Sequence, residues 1–353
     1  MNHGPVLVLV LLAAGWLPGA VAPAFADDAV LAGVESVADA GASEELPVLP
    51  EALLPVAAPP MACVRRDEGG RFAGWIDYKH CVVSGRTTAS ARWLDDLFGD
   101  WHDDEATLRL RVIAELGKDE ESVLKGNLRV RGVADLPNAF TRLRLVLSDD
   151  ESDGATTDGD NPAAPVLGRF RDNAALALRW VPFSGLGFKT DVDLGLRSTP
   201  EVYARWRLRQ QWQLGQDQLL RLGQTFRYGY ESQGVSISQL EAERAFDANS
   251  TLRIGTVWRA EEAETAVGFQ WSHGLSLQHM VGSDGSLSYG WAVAGLTRPH
   301  YRRESHGPWL VWRQSLWREW LFYEIEPRIT YYRRLGFEDV ASLVVRLEVQ
   351  FGQ

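Results

Sequence analysis

Arginine recurs at alternate positions in several stretches of this chain. Arg109 pairs with Arg111, Arg129 with Arg131 and Arg142 with Arg144. Arg205, Arg207 and Arg209 form a run, and Arg221, Arg227, Arg328 and Arg346 stand in similar settings. Side chains two apart on a strand point to the same face, so each set is a row of guanidinium groups. Glu115, Asp191, Asp193, Glu324, Glu326 and Glu348 fall on the same polar side of their segments. A guanidinium stays charged and grips carboxylate or phosphate oxygens through a rigid fork of donors. Two chemistries follow. One is an interior network of ion pairs; the other is a passage whose arginines favour small anions.

Catalytic readings are weaker. Ser272 precedes His273 and Ser305 precedes His306, with His279 and His300 nearby. A nucleophilic serine needs its base within hydrogen-bond reach and a third group to orient the imidazole. Adjacent strand residues point to opposite faces, so neither pair can work while extended. His300 and Ser305 would meet only within a loop. No catalytic residue is assigned, and a lipid-modifying enzyme stands as the alternative. No cofactor is expected. Cys63 and Cys81 match no metal spacing, although His80 adjoins Cys81, so no metal is expected. In an oxidising compartment the two cysteines are expected to form one disulfide, which would stabilise by roughly 3 kcal/mol. The acidic run from Asp149 to Asn161 reads as a solvated loop, with a calcium site or a bridge to lipopolysaccharide through divalent ions as the sharper alternative. A net charge of −11 gives no support for nucleic-acid binding.

The elements that must carry these rows are strands. In the segment from Val202, the residues Val202, Ala204, Trp206, Leu208 and Trp212 alternate with Tyr203, Arg205, Arg207, Arg209 and Gln211. Leu220, Leu222 and Phe226 oppose Arg221 and Arg227, and the closing segment sets Leu343, Val345, Leu347, Val349 and Phe351 against Arg346 and Glu348. Fourteen strands are predicted, with twelve as the lower count. They fall at 106–116, 127–134, 141–148, 173–181, 185–197, 201–214, 218–230, 234–245, 250–260, 264–280, 286–297, 308–316, 320–332 and 340–351. Several runs exceed the length usual in soluble sheets and suit a tilted membrane span. An apolar face on strand after strand, with Trp and Tyr near the ends and a charged opposite face, predicts an all-β, antiparallel up-and-down transmembrane barrel rather than a sandwich. An even strand number and links that are short at one end and longer at the other agree with this, the longer ones being 117–126, 149–172, 298–307 and 333–339.

Four regions are expected: a signal peptide at 1–26 ending in Ala24-Phe25-Ala26, an acidic Ala/Pro-rich leader at 27–60, a periplasmic segment at 61–105 and the barrel at 106–353. In the third, Trp93, Leu94, Leu97, Phe98 and Trp101 predict a short amphipathic helix packing against the periplasmic mouth of a barrel, or else acting as a plug or lying on a membrane surface. No stretch after the signal is long and apolar enough for a membrane helix.

Residues 106–351, with the signal and the closing Val344-Val345-Arg346-Leu347-Glu348-Val349-Gln350-Phe351, resemble Gram-negative outer-membrane β-barrel proteins. The blocks WLDDLFGDW, DEATLRLRV and DLPNAFTRLRLVLSDDESD are similar to a group of proteobacterial exported proteins. The resemblance implies an outer-membrane location, contact with membrane lipid and lipopolysaccharide, and handling by barrel-assembly machinery through Val345, Leu347, Val349 and Phe351. The expected function is passive diffusion or transport of small solutes, anions among them, with a closed structural or interaction barrel as a further alternative.

Overall fold

The computed structural model describes residues 74–99, 105–120, 123–138, 143–148, 175–185, 187–197 and 201–352. The fourteen strands are β1 Thr107–Asp119, β2 Lys125–Asp135, β3 Leu143–Ser148, β4 Ala175–Gly185, β5 Phe188–Arg197, β6 Val202–Gln213, β7 Gln218–Gly229, β8 Gln233–Ala245, β9 Ser250–Glu261, β10 Phe269–Val281, β11 Gly285–Leu296, β12 Arg302–Ser315, β13 Leu321–Tyr332 and β14 Asp339–Phe351. Each pairs antiparallel with its neighbours in sequence, and β14 returns to β1 to close the ring. At the seam Leu110 lies opposite Phe351 and Glu115 opposite Arg346. Closure gives every strand two partners and removes the exposed edges that lipid could not satisfy.

The two faces divide as the alternation demands. Outward positions are apolar and exposed, including Leu116, Leu128, Leu194, Leu196, Val202, Trp206, Phe226, Leu275, Trp291 and Leu347. Inward positions are charged yet buried, including Arg129, Arg205, Arg207, Asp191, Asp193, Glu326 and Arg346. A water-soluble sandwich would show the reverse. Inside the ring, Val235, Ile237 and Val257 form a small apolar patch. Trp309 also points inward, and it lies opposite Gly290.

Three sequence expectations need correction. The strand predicted from 264 begins at Phe269, after a 3-10 turn at Glu262–Glu264. The link expected at 298–307 shrinks to 297–301, because β12 begins at Arg302 and a bulge opposite Ala294 and Gly295 lets it pair with β11. Gly307, from that expected link, thus lies within β12 beside Pro308, where the register with β13 passes from His306 to Trp309. The helix is the largest departure. Helix α1 runs from Trp75 to Asp96, 22 residues, and so starts well before the predicted segment. Val82, Val83, Ser84, Gly85, Thr87 and Thr88 all lower intrinsic helicity, which conceals it. The hydroxyls of Thr87, Thr88 and Ser90 donate to the carbonyls of Val83, Ser84 and Arg86 four residues earlier. Leu97 caps the helix, and Gly99 leaves it at φ 106.

The packed face of α1 also differs from the expectation. Thr87, Ala91 and Asp95 are buried, while Trp93, Leu97 and Phe98 are exposed. His80 Nε2 meets the Gln350 carbonyl at 2.7 Å, and its ring stacks on Trp320 and Phe351. The Asp95 carboxylate accepts the Asn138 N–H at 2.9 Å. At the other end of the helix, Arg318 donates through Nε and Nη2 to Asp77 at 2.6 and 2.7 Å. These hydrogen bonds hold the Asp77 carboxyl below its ordinary value of 3.8. A depressed carboxyl pKa contributes docking stability that is complete above 3.8 and is lost as pH falls through the lower folded value. The pair is partly exposed, so its contribution is about 0.2–1 kcal/mol. The protection factor of amides at the start of α1, the observed rate set against the intrinsic rate at each pH, should therefore fall between pH 5 and pH 3. Asp77→Asn should show the lower protection at both, and an equal acid response in this variant would refute the assignment.

Candidate functional site

The interior wall is the site that sequence and fold converge on, and its charges gather in three groups. In the first, β5 carries Asp191 and Asp193, each 0 % exposed at the side chain. β4 supplies Arg179, whose Nε donates to Asp193 at 2.9 Å. β6 supplies three more: Arg205 contacts Asp193 at 2.6 Å, Arg207 contacts Asp191 at 2.5 Å and Asp193 at 3.0 Å, and Arg209 contacts Asp191. Register explains the grouping, because Asp191 lies opposite Arg207, and Asp193 opposite both Arg205 and Arg179. Four guanidinium groups thus surround two carboxylates.

The second group joins β7, β8 and β9. Arg221 bridges Glu241 at 2.6 Å and Glu243 at 2.8 Å, and Arg253 reaches Glu243 at 2.7 Å. The third spans the seam. Arg346 on β14 contacts Glu115 on β1 at 2.9 Å, Glu326 at 2.5 Å and Glu324. Arg129 holds Glu115 at 2.7 Å from the other side, Arg328 contacts Glu326, and Arg313 holds Glu348 at 2.8 Å. Arg111 approaches Glu348 at 4.0 Å, while Arg109 and Arg144 converge on Asp135 at 3.7 and 2.5 Å.

Between the second and third groups the wall changes character. Along the middle of β10 to β12 the inward positions are mostly small and uncharged: Ser272, Gly274, Ser276, Gly290, Ala292, Ala294 and Gly307, with Arg313 at one end of β12 belonging to the third group. Trp309 covers part of this sector. The interior is therefore lopsided, with charge on most of the circumference and a narrow neutral stretch beside it.

Of the residues singled out from sequence, Arg131 and Arg227 also face inward, with Arg131 opposite Arg111 and Arg227 opposite Arg205. Val345, Leu347 and Val349 stand on the lipid side of β14 and pair with Leu116, Ala114 and Val112 of β1. Arg142, Cys63, Trp101 and the acidic run at 149–161 lie outside the described residues, as do the signal and leader regions. Sequence reasoning missed Arg179, Arg253, Arg313, Glu241 and Glu243. A signal existed: Arg179 sits between Leu178 and Trp180, and Glu241 and Glu243 flank Ala242 in an alternating run.

The serine–histidine candidates separate. Ser272 faces inward and is fully buried, while His273 faces outward between Trp258 and Trp271. Ser305 and His306 are split in the same way, and His306 stacks on Tyr331. His279 does meet a serine that the sequence did not suggest: Ser250 Oγ lies 3.0 Å from its Nδ1, and Tyr289 Oη lies 3.4 Å from Nε2. Among the described residues no carboxylate is hydrogen-bonded to this imidazole, whose two nitrogens face Ser250 and Tyr289, so the pair lacks the third member of a hydrolytic set. Among the described residues, no group of three His, Cys, Asp or Glu is arranged to hold a metal ion.

No protein-family model and no curated protein matches the chain. Solved structures do match. KdgM porin aligns with 69 % of this chain and 99 % of its own, at 7 % identity and TM-score 0.35. OmpT of Vibrio cholerae aligns with 71 % and 99 %, at 7 % identity and TM-score 0.43. A mutant of the Rh. blastica porin aligns with 70 % and 100 %, at 12 % identity and TM-score 0.43. The assignment of this chain rests on its own geometry: an edge-free ring of fourteen antiparallel strands, apolar and aromatic outside and ionic within, is an outer-membrane β-barrel.

Proposed function

We propose that the barrel conducts small anionic solutes across the outer membrane. The carrying observation is the charge of the inner wall. Arg and Lys outnumber Asp and Glu at the inward register positions of β1 to β9, whereas the whole chain carries a net charge of −11. The acidic excess thus resides elsewhere, and the enclosed surface keeps a cationic surplus. Rings of Arg raise the local concentration of anions and exclude cations of like sign. The fixed fork of each guanidinium also favours carboxylate or phosphate groups.

The Cys63–Cys81 disulfide belongs to this reading as a staple on the segment that precedes β1. Cys81 lies on α1, so the bond would tie the chain before the helix to the barrel rim. Lipopolysaccharide and the assembly machinery are the proposed partners of the outer face and of β14.

Planar-bilayer recording tests the function. The purified barrel should give discrete current steps, and in a KCl gradient its reversal potential should favour chloride. Well-folded protein that gives no steps, or steps selective for potassium, would overturn the proposal.

A further inference from the structure

Helix α1 lies on the outside of the barrel. Leu94 packs with Leu108, Leu143 and Leu145 around Ala134 and Leu136. Register places Leu108, Ala134 and Leu145 on the outward side, level with one another on β1, β2 and β3. His80 stacks on Phe351, which shares the outward side of β14 with Leu347. The helix therefore runs along the outer rim at the end where the barrel begins and ends, crossing the seam between β14 and β1. Short turns mark this end as periplasmic.

What the helix presents away from the barrel is specific. Trp75, Lys79, Arg86, Trp93 and Leu97 are spaced by four, seven, seven and four residues, which stacks them in one stripe. All five are exposed, Trp75 at 74 % and Leu97 at 63 %. The acidic residues avoid the stripe: Asp77 and Asp95 turn to the barrel, and Asp96 sits on the flank. Arg92 pairs with Glu105 at 2.7 Å, whereas Lys79 and Arg86 have no carboxylate partner among the described residues.

We propose that this stripe binds anionic phospholipid of the periplasmic leaflet, with Lys79 and Arg86 holding headgroup phosphate and Trp75 and Trp93 seated at the headgroup level. Two observations select lipid as the occupant. The stripe continues the lipid-facing band of the barrel at the depth where strands end, and its charge is purely basic. Long basic side chains can keep their stems against the acyl boundary while the heads reach phosphate. Each basic group near an anionic surface strengthens attachment, and two together should raise headgroup affinity on the order of tenfold.

The full chain is reconstituted in nanodiscs of phosphatidylethanolamine with phosphatidylglycerol, or of phosphatidylcholine alone, and amide exchange is followed across residues 75–96. Exchange should be severalfold slower with the anionic lipid. The Lys79→Gln, Arg86→Gln double variant should lose that difference while strand protection and conductance stay at the parent level. Equal exchange in both lipids for the parent protein, or a lipid effect that survives the double variant, would overturn the proposal. Trp75→Ala with Trp93→Ala should quicken exchange in both lipids, and unchanged exchange would remove the aromatic anchors from it. Conductance is read separately, so failure of the channel reading and failure of lipid binding are told apart.

Discussion

Replacing Arg346 with alanine should lower the unfolding free energy of the barrel by about 3–5 kcal/mol, the range for removing one partner of a buried ionic cluster. The size follows from what is left behind. Glu115, Glu324 and Glu326 all contact this one guanidinium, whose side chain is 11 % exposed. Without it, three carboxylates crowd together across the seam between β1, β13 and β14. Arg129 and Arg328 still serve Glu115 and Glu326, but among the described residues Glu324 keeps only Arg313, at 3.6 Å. Arg346→Lys should fall between, because an ammonium gives the charge without the fork. Arg92→Ala is the control, since its pair with Glu105 is exposed and worth at most about 1 kcal/mol. The measurement is the urea midpoint in lipid vesicles, supported by the temperature at which the folded gel band shifts. A loss for Arg346→Ala no larger than for Arg92→Ala would show that the cluster does not hold the seam.

The interior ionic groups explain why one part of this molecule was legible and another was not. Alternation alone assigns Arg205, Arg207 and Arg209 to one face, since the strand period is two. Partner choice depends on stagger between strands. Nothing local in the sequence says that Asp193 meets both Arg179 and Arg205, because that requires β5 to sit between β4 and β6 in this register. The pairing of Ser250 with His279 was hidden for the same reason: the residues are 29 apart and meet only through the β9–β10 ladder.

The helix showed only its last residues, and its packed face was hidden, for a different reason. Its fully buried residues are Thr87, Ala91 and Asp95, small or polar; Leu94 packs on the barrel, but Trp75, Trp93, Leu97 and Phe98 are exposed. Pattern reading assumes that apolar means packed inward. On the lipid-binding reading proposed above, lipid takes the place of the core for this helix, and Trp75, Trp93 and Leu97 mark the side turned to it. The same inversion governs the barrel, but there it repeats on strand after strand and so could be recognised. A single helix offers no such repetition, and Gly85 with its β-branched neighbours weakens even the local signal.

Changing the charge at the first cluster should alter conduction as well as stability. Asp193 accepts Arg179 and Arg205, and Arg207 lies 3.0 Å from it. Asp193→Asn keeps the shape and some hydrogen bonding but removes one of the two carboxylates that four guanidinium groups share, at a site with no solvent exposure, and leaves Asp191 to serve Arg207 and Arg179 as well as Arg209. A stability loss of about 3–5 kcal/mol is expected. In molecules that remain folded, the added positive field should raise chloride over potassium selectivity severalfold. Arg209→Gln is the converse and the safer variant, because Arg209 is 27 % exposed at the side chain and Asp191 retains Arg207. It should lower anion selectivity with little change in unfolding midpoint. Reversal potentials in a KCl gradient read both. The two variants must move in opposite directions if these arginines line the conducting path. Identical potentials for both, with normal current steps, would place the path along the neutral sector of β10 to β12 and make the arginine cluster a structural filling of the barrel.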